Sequence, residues 1–223
     1  MPRHPIFESP VYVEARQARL RNLFAHIGPA GLAGLAGRRV LELGCGTGEL
    51  GDAFAERGAT VVSVDARAAF VDEVRARHPG RHAHVADLEA WDPGVLGRFD
   101  AILCFGLLYH LATPADLLAA CTRASDTLYL ETVVLDASAP TCPHTDEAGD
   151  DQAFSGRGCR PSARWIQDVL ARNGFATTDI SGAAANWGGA APSVFDWDVR
   201  DTGTWMRGGC LLRRMFVCTR VAP

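Results

Sequence analysis

The stretch Val40-Leu41-Glu42-Leu43-Gly44-Cys45-Gly46-Thr47-Gly48 runs a strand-like apolar pattern straight into three glycines at alternate positions. A helical segment, Glu49 to Arg57, follows at once. With no Cβ at these glycines, the backbone can pass close to a ligand. The N–H groups of the turn and of the next helix's first residues then face the bound molecule. Glu42, just before the turn, suits a ligand with positive charge better than a pyrophosphate. Gly46, Gly48 and Gly51 also satisfy the G-x-G-x-x-G spacing of dinucleotide binders, and Asp65 stands nineteen residues after Gly46. That is near the place of a ribose-binding acid, so the glycines alone leave a nicotinamide or flavin ligand open.

Outward from this turn, strand and helix patterns alternate. Arg39–Leu43, Thr60–Val64, His82–Ala86, Phe99–Phe105 and Thr127–Val134 read as strands, with helices over 49–57, 68–77 and 114–123 between them. This order predicts an α/β fold, a mostly parallel sheet with helices on both faces. Ser162–Asn173 reads as a last helix capped by Gly174. Phe175–Ile180 and Leu211–Thr219 read as a closing antiparallel hairpin, because no crossover helix separates them. Before the sheet, residues 1–37 form an arm with three prolines in its first ten residues and a helix over Val11–Ile27. Residues 38–223 form the main domain. Within it, residues 136–160 are polar, rich in Pro and Gly, and without period; a loop of that length inside a compact domain is usually functional.

The composition narrows the class of function. A chain of 223 residues, 48% hydrophobic, has enough core for one domain. No apolar run reaches the roughly 20 residues that span a bilayer, and the N-terminus lacks a signal peptide's apolar core, so the expected location is cytoplasmic. The formal net charge of −4 argues against a nucleic-acid partner. The 22 basic residues are all arginine, and the seven cysteines include no C-x-x-C pair, which reads as reduced thiols.

The run LELGCGTG resembles motif I of the class I S-adenosylmethionine-dependent methyltransferases. The resemblance implies a seven-stranded Rossmann-like sheet with a C-terminal antiparallel hairpin, and S-adenosyl-L-methionine as the cofactor. The segments FGLLYHL (105–111), LYLET (128–132) and PSARWIQDVLARNGF (161–175) are similar to the catalytic domain of the bacterial enzymes that complete the 5-oxyacetic acid modification of tRNA wobble uridine. Those enzymes are longer and more basic. This chain resembles a stripped domain of that kind, for which a small-molecule acceptor is expected, with monomer or homodimer both open.

On that resemblance, Gly44, Cys45 and Gly46 approach the donor with backbone, and Asp65 accepts from its ribose hydroxyls. Asp87 and Leu88 meet the adenine, and Phe105 packs near the methionine part. Glu42 attracts the donor's ammonium through water or holds the turn by hydrogen bonds. On the arm helix, Tyr12 and Arg19 could close over the donor, an arginine pairing with the methionine carboxylate. Acceptor and methyl group should meet beyond strand four, where His110 is the candidate base and Tyr109 a candidate acceptor contact. Glu131, inside the strand that ends LET, is a second catalytic candidate. His144 on the long segment and Arg213 on the last strand are candidate acceptor contacts. Cys142, His144 and Asp146 match no metal motif, and no metal is expected. Trp187, Trp197 and Trp205 could line an acceptor pocket. A tRNA-modifying alkyltransferase, a non-catalytic Rossmann module and a nicotinamide enzyme remain as alternatives.

Overall fold

The computed structural model describes residues 5–135, 137–147, 149, 152–181 and 212–222. Seven strands form one sheet: β1 (Arg39–Leu43), β2 (Thr60–Asp65), β3 (His82–Val85), β4 (Ala101–Phe105), β5 (Thr127–Val134), β8 (Phe175–Asp179) and β9 (Leu212–Arg220). Their spatial order is β3-β2-β1-β4-β5-β9-β8. The first five are mutually parallel, and β9 runs antiparallel to both β5 and β8. The expected seven-stranded sheet and closing hairpin are both present.

The strands are apolar because both faces are covered. One face carries a cluster built on Leu41, Ile102, Leu118, Leu130, Ile166 and Phe216; the other packs Val40, Phe54, Leu103 and Met215 against the arm helix residues Ala18 and Leu23. Side chains of this kind each stabilise the fold by roughly 1.5–3 kcal/mol on full burial. Order in the sheet reverses between β1 and β4, which opens a crevice at their carboxyl ends.

Several boundaries differ from expectation. The arm begins with a short helix, α1 (Pro5–Glu8), and its long helix, α2, covers Pro10–Ala33. Gly28 takes a non-helical conformation (φ 70°, ψ 171°) before Pro29, so α2 is two helices end to end. Proline has no N–H to continue the ladder, which explains the break. Strand β4 starts at Ala101, since Phe99 makes only an isolated bridge to Ser125. Helix α3 covers Glu49–Ala55, α4 Ala68–Arg77, and α5 Pro114–Ala124.

The long polar segment is not wholly irregular. It folds into a hairpin of β6 (His144–Asp146) and β7 (Arg157–Cys159), strands too short to show a period in sequence. Trp187, Trp197 and Trp205 lie outside the described residues. Trp165 is half-buried on α6 (Ala163–Arg172), while its neighbour Ile166 is fully buried.

Ser162 ties the long segment to the sheet layer. Its buried Oγ accepts from the N–H of Trp165 (3.2 Å) and of Thr141 (3.2 Å) and donates to the carbonyl of Ala139 (2.8 Å). Ser162→Ala is expected to cost about 1–2 kcal/mol in urea denaturation and to speed proteolytic cleavage within 136–160. Unchanged stability would show that the cap is dispensable.

Candidate functional site

A cavity of about 300 Å³ opens beyond the carboxyl ends of β1, β2 and β4. Its walls come from every part of the fold that the sheet directs there: the turn after β1 (Gly44, Gly46), the tip of β2 (Asp65), the loop after β3 (Asp87, Leu88), the end of β4 (Phe105) with its following turn (Tyr109, His110), α2 (Tyr12, Arg19) and β9 (Arg213). Gly44 (φ +61°) and Gly46 (φ +51°) hold left-handed conformations that favour glycine. A Cβ on Gly46 would also come 2.7 Å from the Phe7 ring, which the arm lays against the turn.

The turn is fixed by carboxylates. Asp65 Oδ2 accepts from Gly46 N–H (2.9 Å), and its Oδ1 accepts from Arg67 N–H (2.9 Å). Burial pushes the Asp65 carboxyl above its ordinary value, opposed by those N–H groups. Below the turn, Glu42 Oε1 accepts from Gly51 N–H (2.8 Å), and its Oε2 accepts from Ser63 Oγ–H (2.9 Å). Glu42 is 2% exposed and lies outside the cavity lining, so of its two expected roles the geometry displays the one that holds the turn. Cys45 also turns away from the cavity, its side chain packing with Val71, Val74 and Ala83. From outside, Arg81 joins the turn to α3 by donating to the carbonyl of Gly48 (3.1 Å) and to Asp52 (2.7 Å).

The floor near β5 is cationic. Glu131, fully buried and outside the lining, sits between Arg213 Nη1 (2.9 Å from Oε1) and Arg19 Nε (3.1 Å from Oε2). Two guanidinium groups thus face one carboxylate. Arg19 Nε and Glu131 Oε2 approach without hydrogen-bond geometry, and each lacks a hydrogen-bond partner among the described residues. Arg213 also donates to the Tyr109 hydroxyl (3.0 Å). Burial raises the Tyr12 phenol above its ordinary value.

Beside this floor, His110 Nδ1 lies 2.5 Å from Glu147 Oε2. His144 is elsewhere: exposed on β6, with its Nε2 2.9 Å from the carbonyl of Ala112, in a groove lined also by Cys142 and Trp165. Asp87 sits at the rim, exposed, while Leu88 is buried under it. Among the described residues no group of three or more His, Cys, Asp or Glu side chains is placed to hold a metal.

Sequence reasoning missed Phe7, Phe70, Arg67 and Phe154 in the lining, and Glu147 behind it. Phe7 packs edge-on against both Tyr12 and Phe70, and Arg67 lies over the rings of Phe70 and Phe154. An aromatic residue in an otherwise proline-punctuated arm was the available signal for Phe7. Glu147 had none, since its contact depends on the hairpin.

A reversing parallel sheet, a left-handed glycine turn at the first strand and an acid at the tip of the second define a Rossmann-like ligand-binding domain. The chain belongs to the methyltransferase-domain family, which it matches over residues 12–180. The family read from the glycine motif, that of the methyltransferase domains, therefore holds. The ubiquinone biosynthesis O-methyltransferase of Paracidovorax citrulli is 38% identical over 98 residues, covering 42% of this chain and 41% of that protein. The protein of the same description from Aromatoleum aromaticum is 37% identical over 95 residues, covering 41% of each. The chain thus spans about two fifths of the length of the curated relatives it matches. In fold, it is similar to the N-terminal domain of EvdMO1 with SAH bound (TM-score 0.64, 20% identity, 94% of this chain and 81% of that one). It is also similar to an S-adenosylmethionine-dependent methyltransferase from Mesorhizobium loti (TM-score 0.65, 17% identity, 91% and 98%). Among the described residues no helix is long and apolar enough to cross a membrane.

Burial drives the Glu42 carboxyl from an ordinary 4.5 up to about 7, with Gly51 N–H and Ser63 opposing. The fold thus favours the protonated form. This contribution to stability is complete below about pH 4.5, falls as pH rises, and is lost once pH passes about 7. Glu42→Gln, which keeps the shape, is expected to exceed the wild type by on the order of 1–3 kcal/mol at pH 8 and to match it near pH 4. Denaturant midpoints at the two pH values test this; equal midpoints at pH 8 would contradict it.

Proposed function

We propose that this cavity binds S-adenosyl-L-methionine and transfers its methyl group to a small-molecule acceptor. The observation that carries the reading is the conjunction of a Cβ-free turn, the Asp65 carboxylate and a floor with one positive charge in excess. These fit the three chemical parts of the donor. Gly44 and Gly46 let its backbone-hugging portion approach, Asp65 retains lone pairs to accept from ribose hydroxyls, and Leu88 offers an apolar face to the adenine. Arg19 supplies the charge for the methionine carboxylate. When bound, the donor supplies an electrophilic methyl carbon on a sulfonium.

The residues of the chain then do the rest. Phe105 and the turn at 106–111 set the wall where acceptor meets methyl, and holding the two about 3 Å apart in line supplies most of the acceleration. His110 lines that wall, and we assign it the removal of a proton from an acceptor hydroxyl or amine. Glu131 is better suited to orienting Arg19 and Arg213 than to proton transfer, because it is buried behind them. Tyr109 and Arg213 face the acceptor side. Phe7 and Tyr12 on the arm act as the cover of the donor, and the hairpin segment 136–160 as the acceptor wall, through Gln152 and Phe154.

A small acceptor is favoured over tRNA by the formal net charge of −4. The likeness to wobble-uridine enzymes rests on three short motifs alone. The partial match to ubiquinone O-methyltransferases makes a hydroxyl the first acceptor group to try.

Isothermal calorimetry with S-adenosylmethionine, its demethylated product and NAD tests the donor assignment. Heat with the first two and none with NAD is expected; the reverse would sink it. Gly46→Val places a branched side chain at φ +51° against Phe7 and is expected to abolish donor binding, while Asp65→Ala weakens it at least tenfold. Wild-type affinity in either variant contradicts the assigned contact.

A further inference from the structure

We infer that Glu147, held by Arg160, is a positioning residue that fixes His110 in the tautomer with its proton on Nδ1 and turns Nε2 toward the acceptor. This rests on the reading of His110 as the base. The three residues come from separate places: His110 from the turn after β4, Glu147 from the end of β6, and Arg160 from the end of β7. The hairpin brings the last two together, since Glu147 N–H donates to the carbonyl of Gly156 (2.9 Å). Gly158 allows the hairpin to lie against the site, for a Cβ there would strike the carbonyl of Tyr109 and come 2.9 Å from Glu147 Cδ.

The position of the proton is set by the partners. Glu147 is 6% exposed, with His110 Nδ1 2.5 Å from Oε2 and Arg160 Nη2 2.6 Å from Oε1. Burial works to raise the Glu147 carboxyl, but His110 and Arg160 outweigh it and hold it below its ordinary value. An ionised carboxylate only accepts, so Nδ1 of a neutral imidazole must donate to it. The lone pair is then on Nε2, which is the atom left for the acceptor's proton. The other groups near the ring do not compete for Nδ1. Tyr109 lies beside it, tilted by 44° at 4.0 Å between centroids, with its hydroxyl engaged by Arg213, and Arg160 also donates to the carbonyl of Cys159 (2.8 Å).

Arg160 makes the arrangement directional, because its positive guanidinium, which cannot accept, faces Oε1 as an ion pair without hydrogen-bond geometry. In Glu147→Gln, Arg160 therefore claims the amide oxygen. The amide NH2 is left facing Nδ1, and the imidazole must move its proton to Nε2. The substitution conserves shape while reversing the tautomer.

Nitrogen-15 NMR of histidine-labelled protein reads this without any acceptor. The His110 signals are assigned by their loss in His110→Gln, at a pH high enough that the ring is neutral. We expect the Nδ1–H pattern in the wild type, the Nε2–H pattern in Glu147→Gln, and a shift toward Nε2–H in Glu147→Ala, which serves if the first variant does not fold. A wild-type ring already protonated on Nε2, or a tautomer unmoved by either substitution, overturns the inference. With an acceptor in hand, Glu147→Gln should lower kcat by about a hundredfold at unchanged affinity for the demethylated donor. A reversed tautomer at full turnover would instead remove His110 from the base role and leave the proton assignment standing.

Discussion

The hydrogen bond from Gly46 N–H to Asp65 joins the two features on which the site depends. It ties the turn after β1 to the tip of the neighbouring strand, so the bare backbone and the acid keep one relative position. Glu42 repeats the device one layer down by linking β1 to Ser63 on β2 and to Gly51 on α3. Parallel strands alone would place these groups side by side; the two carboxylates lock their register at the one edge where side chains are missing. The cost is two buried acids, both shifted toward their neutral forms by burial.

The sheet was readable because its signals are local. Five apolar strands alternating with helices leave little choice but a parallel sheet, and the lack of a helical sequence pattern ahead of the last strand announced the antiparallel partner seen in β9. That Gly44, Gly46 and Asp65 would line the cavity was readable for the same reason, since each sits at a strand end and strand ends in this architecture open on the crevice. Signals weakened where a residue's role depends on what another segment brings to it. Glu131 looks from its strand like a residue aimed at the pocket, yet Arg19 from α2 and Arg213 from β9 close over it. His144 sits in a segment expected to reach the acceptor, and the register of the hairpin turns it to the outer groove. The same register places Glu147 behind His110, a contact no spacing in the chain foretells.

Arm and hairpin both reach the crevice. Phe7 and Tyr12 come from the N-terminal helices, and Phe154 from the hairpin loop, with Arg67 bridging from the sheet by its position over Phe154 and its hydrogen bond to the carbonyl of Gln152 (2.7 Å). The scaffold beneath is packed on both faces, and α2 is anchored to it through Ala15, Ala18 and Leu23, whereas the covering side chains Phe7, Tyr12 and Phe154 belong to neither core cluster. Such an arrangement leaves the covers free to change with the acceptor while the donor end is held constant.

The pair of guanidinium groups sharing Glu131 also bears on turnover once the methyl has left. If the donor binds as proposed, the amino-acid carboxylate that settles there would be identical before and after the transfer, and so would the sugar and base at the other end. Only the methyl group and the positive charge it places on sulfur distinguish a fresh molecule from an exhausted one. On the proposed reading, a floor built this way would hold both forms by the same carboxylate, so the spent form is expected to compete with its own precursor.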